Sequence, residues 1–364
     1  MKNILVFFGG QSVERDVSVI TGVLTANSID KEKFNPVPIF VAPNGKWYTG
    51  KSLFDIEFYK NLDYKKLSEV FVKGGDNALY VTKKNRCKKL LSISVAINCI
   101  HGEKGEDGSL TGYLKMCDIP LASPDMFSSS AFMDKEFTKI VLKGINVPTL
   151  PFCAVNSTGC LDNVEEKLSF PVIVKPATLG SSIGIKVAKN RKELIDATAF
   201  AFRFCNKVVV EPFIEGFTEI NVAVYRDRKG VHVSECEQPL TKNDLLDFED
   251  KYTDGEKIFP ANISKNLSDR IKKIAKTVYS RTQTEGIIRI DFIVKENKVF
   301  VNEVNTVPGS LSYYLFSDTM KEFSLILERL IEKAEERYAK EKTLIKTFSS
   351  SILNIKGAKG VKHL

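Results

Sequence analysis

Two segments in the C-terminal third hold the residue types best suited to chemistry: Ile288-Arg-Ile-Asp-Phe-Ile-Val294 and Asn302-Glu-Val-Asn305. In the first, Ile288, Ile290, Phe292 and Val294 alternate with Arg289 and Asp291, the two-residue period of a strand with an apolar and a polar face. Glu303 and Asn305 share a face in the same way. If the turn through Glu296-Asn297-Lys298 has an odd number of loop residues, Asp291 lies opposite Glu303 and Arg289 opposite Asn305. An even loop puts the two sets on opposite faces, so the expectation is an odd loop. Two carboxylates and an amide oxygen on one face suit a hard cation such as Mg²⁺, which takes few protein oxygens and lets substrate phosphates complete its shell. Alone, the pattern equally describes a solvated face with surface ion pairs.

Three further stretches could handle charged ligands. Pro171-Val-Ile-Val-Lys-Pro176 runs into Leu179-Gly-Ser-Ser-Ile-Gly184, where backbone N–H groups could face a phosphate beside the point charge of Lys175. No Gly-Lys-Ser/Thr enters a helix there, so it is not a P-loop, and by itself it reads as a plain turn. His101-Gly-Glu-Lys-Gly-Glu-Asp-Gly108 directly follows an apolar strand and could line a cleft, although His101 alone could equally cap a turn. Gly9-Gly10-Gln-Ser-Val-Glu14 opens a helix without G-x-G-x-x-G, which disfavours a dinucleotide fold, and Glu14 by default compensates the helix dipole.

The elements that must position these residues follow from periodicity. An apolar run at 3–8, a glycine turn, a helix carrying Val17, Ile20 and Leu24, and strands at 37–41 and 93–100 make the first 120 or so residues an α/β domain, expected to be built on an open parallel sheet. Phe132, Phe137, Ile140 and Val141 predict one helix between Met126 and Lys143. Strands at 171–175, 185–188 and 208–210 with a helix at 191–202 surround the glycine-serine loop. Strands at 220–225, 231–236, 287–294 and 299–304, and helices carrying Leu267 to Val278 and Phe323 to Ala334, form a third unit. Its polar stretch, 241–255, is too charged for a core and reads as a mobile lid. The expected divisions are 1–124, 125–210, 211–335 and a tail at 336–364, with no internal repeat.

Composition narrows the class. The 364 residues, 43% hydrophobic and 27% charged, describe an ordinary globular chain. Of its net charge of +8, much sits in the tail (Lys342, Lys346, Lys356, Lys359, Lys362), and no nucleic-acid module accompanies it. Seven cysteines, an odd number without C-x-x-C, read as buried free thiols in a reducing compartment. The short apolar run before Gly9-Gly10 is too brief for a signal peptide, and no later run reaches a membrane span, so a cytoplasmic protein is expected.

In order, the Glu14 loop, HGEKGEDG, VKPATLGSSIGI, VEPFIEG, RIDF and NEVNTVPGS resemble the D-alanine–D-alanine ligases of the ATP-grasp superfamily, from Lys2 to about Ala334. The resemblance implies three α/β domains, ATP held between the second and third, and two D-alanines joined through an acyl phosphate. It implies that Lys135, Lys175, Ser182 and Lys251 serve ATP, with Glu211 and Glu219 on the adenine and ribose side. Asp291, Glu303 and Asn305 would hold two Mg²⁺ ions, or Mn²⁺. Glu14 would take the ammonium of the first D-alanine, with His101, Ser310 and Leu315 completing the substrate pocket. Arg289 and the N–H of Gly309 would stabilise the acyl phosphate and oxyanion, and Ser181 and Tyr252 would join Glu14 in closing the lid.

Such a set makes physical sense: ATP and a carboxylate repel each other, and an acyl phosphate must be kept from water. The chain departs from the family pattern at Thr111, where a Gln is usual, at Gly216-Phe-Thr-Glu219, one residue longer than in many members, and at Tyr314, where many members place a Ser for the second substrate's carboxylate. The resemblance also implies a homodimer and, through Tyr252, a D-alanine acceptor, the alternatives being D-serine or D-lactate. A catalytically silent nucleotide-binding protein would be expected to have lost one of Lys175, Arg289, Asp291, Glu303 or Asn305, and all are present.

Overall fold

The computed structural model describes residues 1–83, 86–158, 161–240 and 256–352. The expected lid at 241–255, with Lys251 and Tyr252, lies outside the described residues.

The first sheet grows from β1 (Lys2–Gly9), buried from Ile4 onward because chain packs on both its faces. Helix α1 (Arg15–Ser28) crosses over to β2 (Phe34–Val41), and this crossover makes β1 and β2 parallel. The next strands, β3 (Trp47–Thr49), β4 (Ser68–Lys73), β5 (Ala78–Lys83) and β6 (Arg86–Ser92), are joined only by turns and 3₁₀ segments, so they add antiparallel. With β7 (Val95–Asn98) the order is β6-β5-β4-β3-β2-β1-β7. The expected parallel sheet is therefore parallel only at β2-β1-β7.

After α2 (Ser109–Met116), the single helix expected between Met126 and Lys143 is two, α3 (Met126–Met133) and α4 (Lys135–Gly144). Asp134 leaves helical geometry (φ −90°, ψ 114°), and its side chain accepts from the N–H groups of Glu136 and Phe137, capping α4. Nor does α4 bury its aromatic residue. Phe137 is 54% and Ile140 49% exposed, whereas Thr138, Lys139 and Leu142 face inward, because Lys139 finds a charged partner there.

The second sheet, β10-β9-β11-β8, joins β8 (Cys153–Val155), β9 (Val172–Pro176), β10 (Lys186–Ala188) and β11 (Val208–Pro212), with α5 (Asp162–Lys167) and α6 (Arg191–Ala201). The third, β13-β12-β16-β17, contains β12 (Thr218–Asp227), β13 (Gly230–Val233), β16 (Ile287–Lys295) and β17 (Lys298–Asn305). Beside it lie the short pair β14 (Gln238–Pro239) and β15 (Lys257–Ile258), and helix α7 (Lys265–Arg281).

Helix α8 (Met320–Lys342) returns to the first sheet, where Phe323, Leu327 and Ile331 share a core with Ile4, Val6 and Phe8. It continues past 336, so the start of the expected tail is helix. Its Tyr338 hydroxyl donates to Asp118 Oδ2 at 3.1 Å and accepts from Asn77 Nδ2 at 3.0 Å.

The six described cysteines are free, and four are buried. Two depart from the expected burial: Cys205 is half-buried, and Cys87 lies exposed on the edge strand β6, which is exposed along most of its length. Cys160 is outside the described residues. No described helix is long and apolar enough to cross a membrane.

Candidate active site

The hairpin of β16 and β17 aligns the chemistry by a route other than the one expected. Lys295 pairs with Lys298, so the loop is Glu296-Asn297 alone, two residues with φ of 48° and 62° in a left-handed turn. This even loop contradicts the expected odd one, yet Asp291 still faces Glu303 and Arg289 still faces Asn305. A β-bulge supplies the missing residue. Phe292 pairs with Val301 and Asp291 with Glu303, so Asn302 is the extra residue that restores the parity of the faces. The bulge also turns Asn302 toward the site, where its Oδ1 accepts from Lys175 Nζ at 3.1 Å.

Asp291 is 1% exposed and chelates the guanidinium of Arg289, Nε to Oδ1 at 2.7 Å and Nη2 to Oδ2 at 2.8 Å, while Asn305 Nδ2 donates to Oδ2 at 2.9 Å. Burial pulls the pKa of Arg289 down, but the facing Asp291 outweighs it and holds the group well above its usual value. Among the described residues no three His, Cys, Asp or Glu side chains gather as a ready metal cage. In donor chemistry the set nevertheless fits Mg²⁺: Asp291, Glu303 and the Asn305 amide offer only hard oxygens, and Glu303 and Asn305 line the cavity described below, leaving places for phosphate oxygens.

The second sheet contributes a buried charge cluster. Glu211 on β11 places Oε1 3.0 Å from Lys139 Nζ and Oε2 3.1 Å from Lys175 Nζ, with Lys139 and Glu211 each 1% exposed. Burial raises the carboxyl pKa, but the two lysines outweigh it and hold Glu211 below the usual carboxylate range. Both carboxylate oxygens are thus committed to lysines. Lys135, the first residue of α4, donates from Nζ to Leu179 O at 2.7 Å. A slot of about 70 Å³ is lined by Lys135, Lys175, Ser182, Glu211 and Glu219, with Leu150, Ile173, Phe213 and Ile293 as apolar walls.

Glu14, at the N-terminus of α1, is 5% exposed and accepts a hydrogen bond from the Ser181 hydroxyl. Two glycines allow this approach. A Cβ on Gly180 would lie 2.9 Å from Glu14 Oε1, and one on Gly102 would lie 2.3 Å from Ser12 Oγ. Buried His101 shares a 3.0 Å hydrogen bond from Nε2 with Thr21 Oγ1, which also accepts from the N–H of Ser310 at 3.0 Å. Burial, and then the charge of Arg289, depress the His101 pKa to about 3, so its ring is neutral. Glu106 accepts from the N–H groups of Gly102 (2.7 Å) and Val307 (3.3 Å), and burial with nearby Glu14 raises its pKa to about 8.

These groups converge. A cavity of about 620 Å³ is lined by Glu14, His101 and Ser181, and by Arg289, Glu303, Asn305, Gly309 and Ser310. Gly180, Glu219 and Glu303 line both this cavity and the slot. Leu315 does not join them: its side chain is buried in the fold. Tyr252 and Lys251 are outside the described residues. Thr111 is buried in α2, its hydroxyl donating to Gly108 O at 3.2 Å, which makes it a packing residue. Lys139, Glu106 and Asn302 were not singled out from the sequence. The signals available were a lysine among apolar residues of one helix, the second glutamate of the HGEKGEDG loop, and the asparagine that opens Asn302-Glu-Val-Asn305.

Comparison with known proteins finds the D-ala D-ala ligase N-terminus family over residues 3–124 and the D-ala D-ala ligase C-terminus family over 141–334. A D-alanine–D-alanine ligase of Thermosipho africanus is 38% identical over 98% of this chain and 99% of its own length. One from Campylobacter jejuni is 34% identical over 98% of each. Among solved structures, a D-alanine–D-alanine ligase from Helicobacter pylori superposes with a TM-score of 0.76 at 30% identity, covering 92% of this chain and 98% of its own. The VanG D-Ala:D-Ser ligase from Enterococcus faecalis reaches 0.78 at 26% identity, covering 93% and 99%.

Proposed function

The chain belongs to the D-alanine–D-alanine ligase family, and from that premise we propose that it joins two D-alanines at the expense of ATP, on the ATP-grasp fold, supplying D-alanyl-D-alanine for peptidoglycan precursors. The observation that carries this reading is the convergence of Glu14, Ser181, Arg289, Glu303 and Asn305, from sequence-distant segments, on one cavity that adjoins a lysine-lined slot.

In the proposed mechanism Glu14, gripped by Ser181, takes the ammonium of the first D-alanine. Lys135 and Lys175 receive the phosphates in the slot, and Glu211 holds Lys175 in place. A carboxylate oxygen of the first D-alanine bonds to the γ-phosphorus, the bond to the β,γ-bridging oxygen breaks, and ADP leaves with its electron pair. The amine of the second D-alanine, its ammonium proton having passed to solvent, then attacks the acyl carbon, and a second proton from its nitrogen goes to the departing phosphate. The tetrahedral oxyanion faces Arg289 and the N–H of Gly309, and phosphate departs with the C–O electron pair as the peptide bond forms. Asp291, Glu303 and Asn305 would hold two Mg²⁺ ions, or Mn²⁺, which when bound neutralise phosphate charge. Lys251 and Tyr252, to which the family resemblance gives roles at ATP and beside Glu14 and Ser181, lie outside the described residues.

The free thiols of all six described cysteines support a reducing, cytoplasmic location, and a homodimer is implied by the family resemblance. The D-Ala:D-Ser neighbour favours D-serine as the second reading for the acceptor. Mass spectrometry of the products from ATP, Mg²⁺ and D-alanine, with D-serine and D-lactate as competitors, separates the readings. D-Alanyl-D-alanine with matching ADP is expected. A mixed product in preference to it would move the assignment to another acceptor, and no ADP would leave a silent nucleotide-binding protein.

A further inference from the structure

We propose that the segment after α8, residues 344–364, docks the protein on an anionic lipid surface, its apolar side chains entering the interface and its lysines meeting the headgroups. The described part of this segment leaves its large apolar side chains in water. Leu344, Ile345, Phe348 and Ile352 are exposed, Ile345 by 94% and Phe348 by 88%, and residues 345–351 form neither helix nor strand. A single exposed apolar residue is ordinary, but a run of them without protein cover marks an interaction surface. The segment lines neither the cavity nor the slot, so its role is separate from the chemistry there.

The spacing of these residues is that of a latent helix. Leu344, Ile345, Phe348, Ile352 and Ile355 fall within an arc of about 100° when each residue turns by about 100°, while Lys346, Thr347, Ser350 and Asn354 take the remaining arc and Leu353 alone stands outside the stripe. In water so short a helix has nothing to pack its stripe against, whereas at a bilayer interface folding and binding occur together. Charge selects the surface. From Lys342 onward the chain carries Lys342, Lys346, Lys356, Lys359 and Lys362 and no Asp or Glu. Lys342 and Lys346 pair with Asp118, the latter at 4.0 Å, and hold the start of the segment against the fold. Lys356, Lys359 and Lys362 follow the stripe directly, and each lysine near an anionic surface favours binding about fivefold. Nucleic acid would meet the same lysines but offers the stripe no apolar phase, and a second copy of the segment would bring like charge.

The test sediments the full chain with vesicles of phosphatidylglycerol and phosphatidylcholine in equal parts, and with phosphatidylcholine alone. Beside it run the chain truncated after Thr343, Phe348→Ser, and the triple variant Lys356→Gln, Lys359→Gln, Lys362→Gln. The full chain should sediment with the anionic vesicles and stay in solution with the neutral ones, and added salt should weaken its binding. Truncation should abolish binding, Phe348→Ser should weaken it about tenfold or more, and the triple variant about a hundredfold. Hydrogen exchange on the full chain should show residues 344–355 gaining protection with anionic vesicles only. The described residues of the segment are exposed, so every variant should keep the wild-type melting temperature. No sedimentation of the full chain, or equal sedimentation of the truncated one, would overturn the proposal. Retention on duplex DNA, or dimers that form with rising concentration, either lost on truncation and without vesicle binding, would also overturn it, in favour of nucleic acid or a second copy.

Discussion

The buried charges of the site each have a measurable consequence. His101 titrates near 3 in the folded chain against about 6.5 unfolded. Below pH 6.5 the unfolded chain therefore binds a proton that the native one refuses, and stability falls as pH drops through that window, by up to about 1.4 kcal/mol per unit. Urea denaturation at pH 7 and pH 5 should show wild type losing about 1–2 kcal/mol more than His101→Gln. Lys139 was legible only as a helix residue, because nothing local announces that Glu211, far along the chain, will meet it. Lys139→Met should cost about 3–5 kcal/mol by leaving the Glu211 charge under-compensated, and calorimetry should show weaker ATP binding as Lys175 shifts. Adding Glu211→Gln should restore part of the melting temperature, which it would not do if Lys139 served only as packing.

For the hairpin, alternation in Ile288 to Val294 was enough to read which face of β16 is polar. The bulge was not readable, because a two-residue turn with a bulge and a three-residue turn without one bring the same residues together. Deleting Asn302 should remove the bulge yet leave Glu303 opposite Asp291 and Asn305 opposite Arg289, so that only the contact with Lys175 is lost and ADP release should stay within about tenfold of wild type. Asn302→Ala, which keeps the residue count, should retain the fold by circular dichroism. A folded deletion variant with no ADP release would contradict this account of the register. The break between α3 and α4 has the same character: Asp134 is a recognisable cap, but the hydrophobic spacing of Phe132, Phe137 and Ile140 conceals it.

Helix α8 ties the C-terminal part of the described chain to the first domain. Arg337 Nη2 donates to Leu121 O at 2.8 Å, and Lys33 Nζ meets Glu328 at 2.7 Å. Truncation after Glu335, the expected tail boundary, should lower the melting temperature by about 3–5 °C through the loss of Arg337 and Tyr338, whereas truncation after Thr343 should leave α8 whole and the melting temperature within about 1 °C. What the sequence determined by itself was the set and order of the charged and glycine-bearing segments, because strand alternation, helix spacing and loop composition are local properties. Which of those residues meet was decided by the tertiary structure. Glu14 reaches Ser181, and Lys175 reaches Asn302, only after separate sheets pack together, since burial and long-range pairing depend on every element at once.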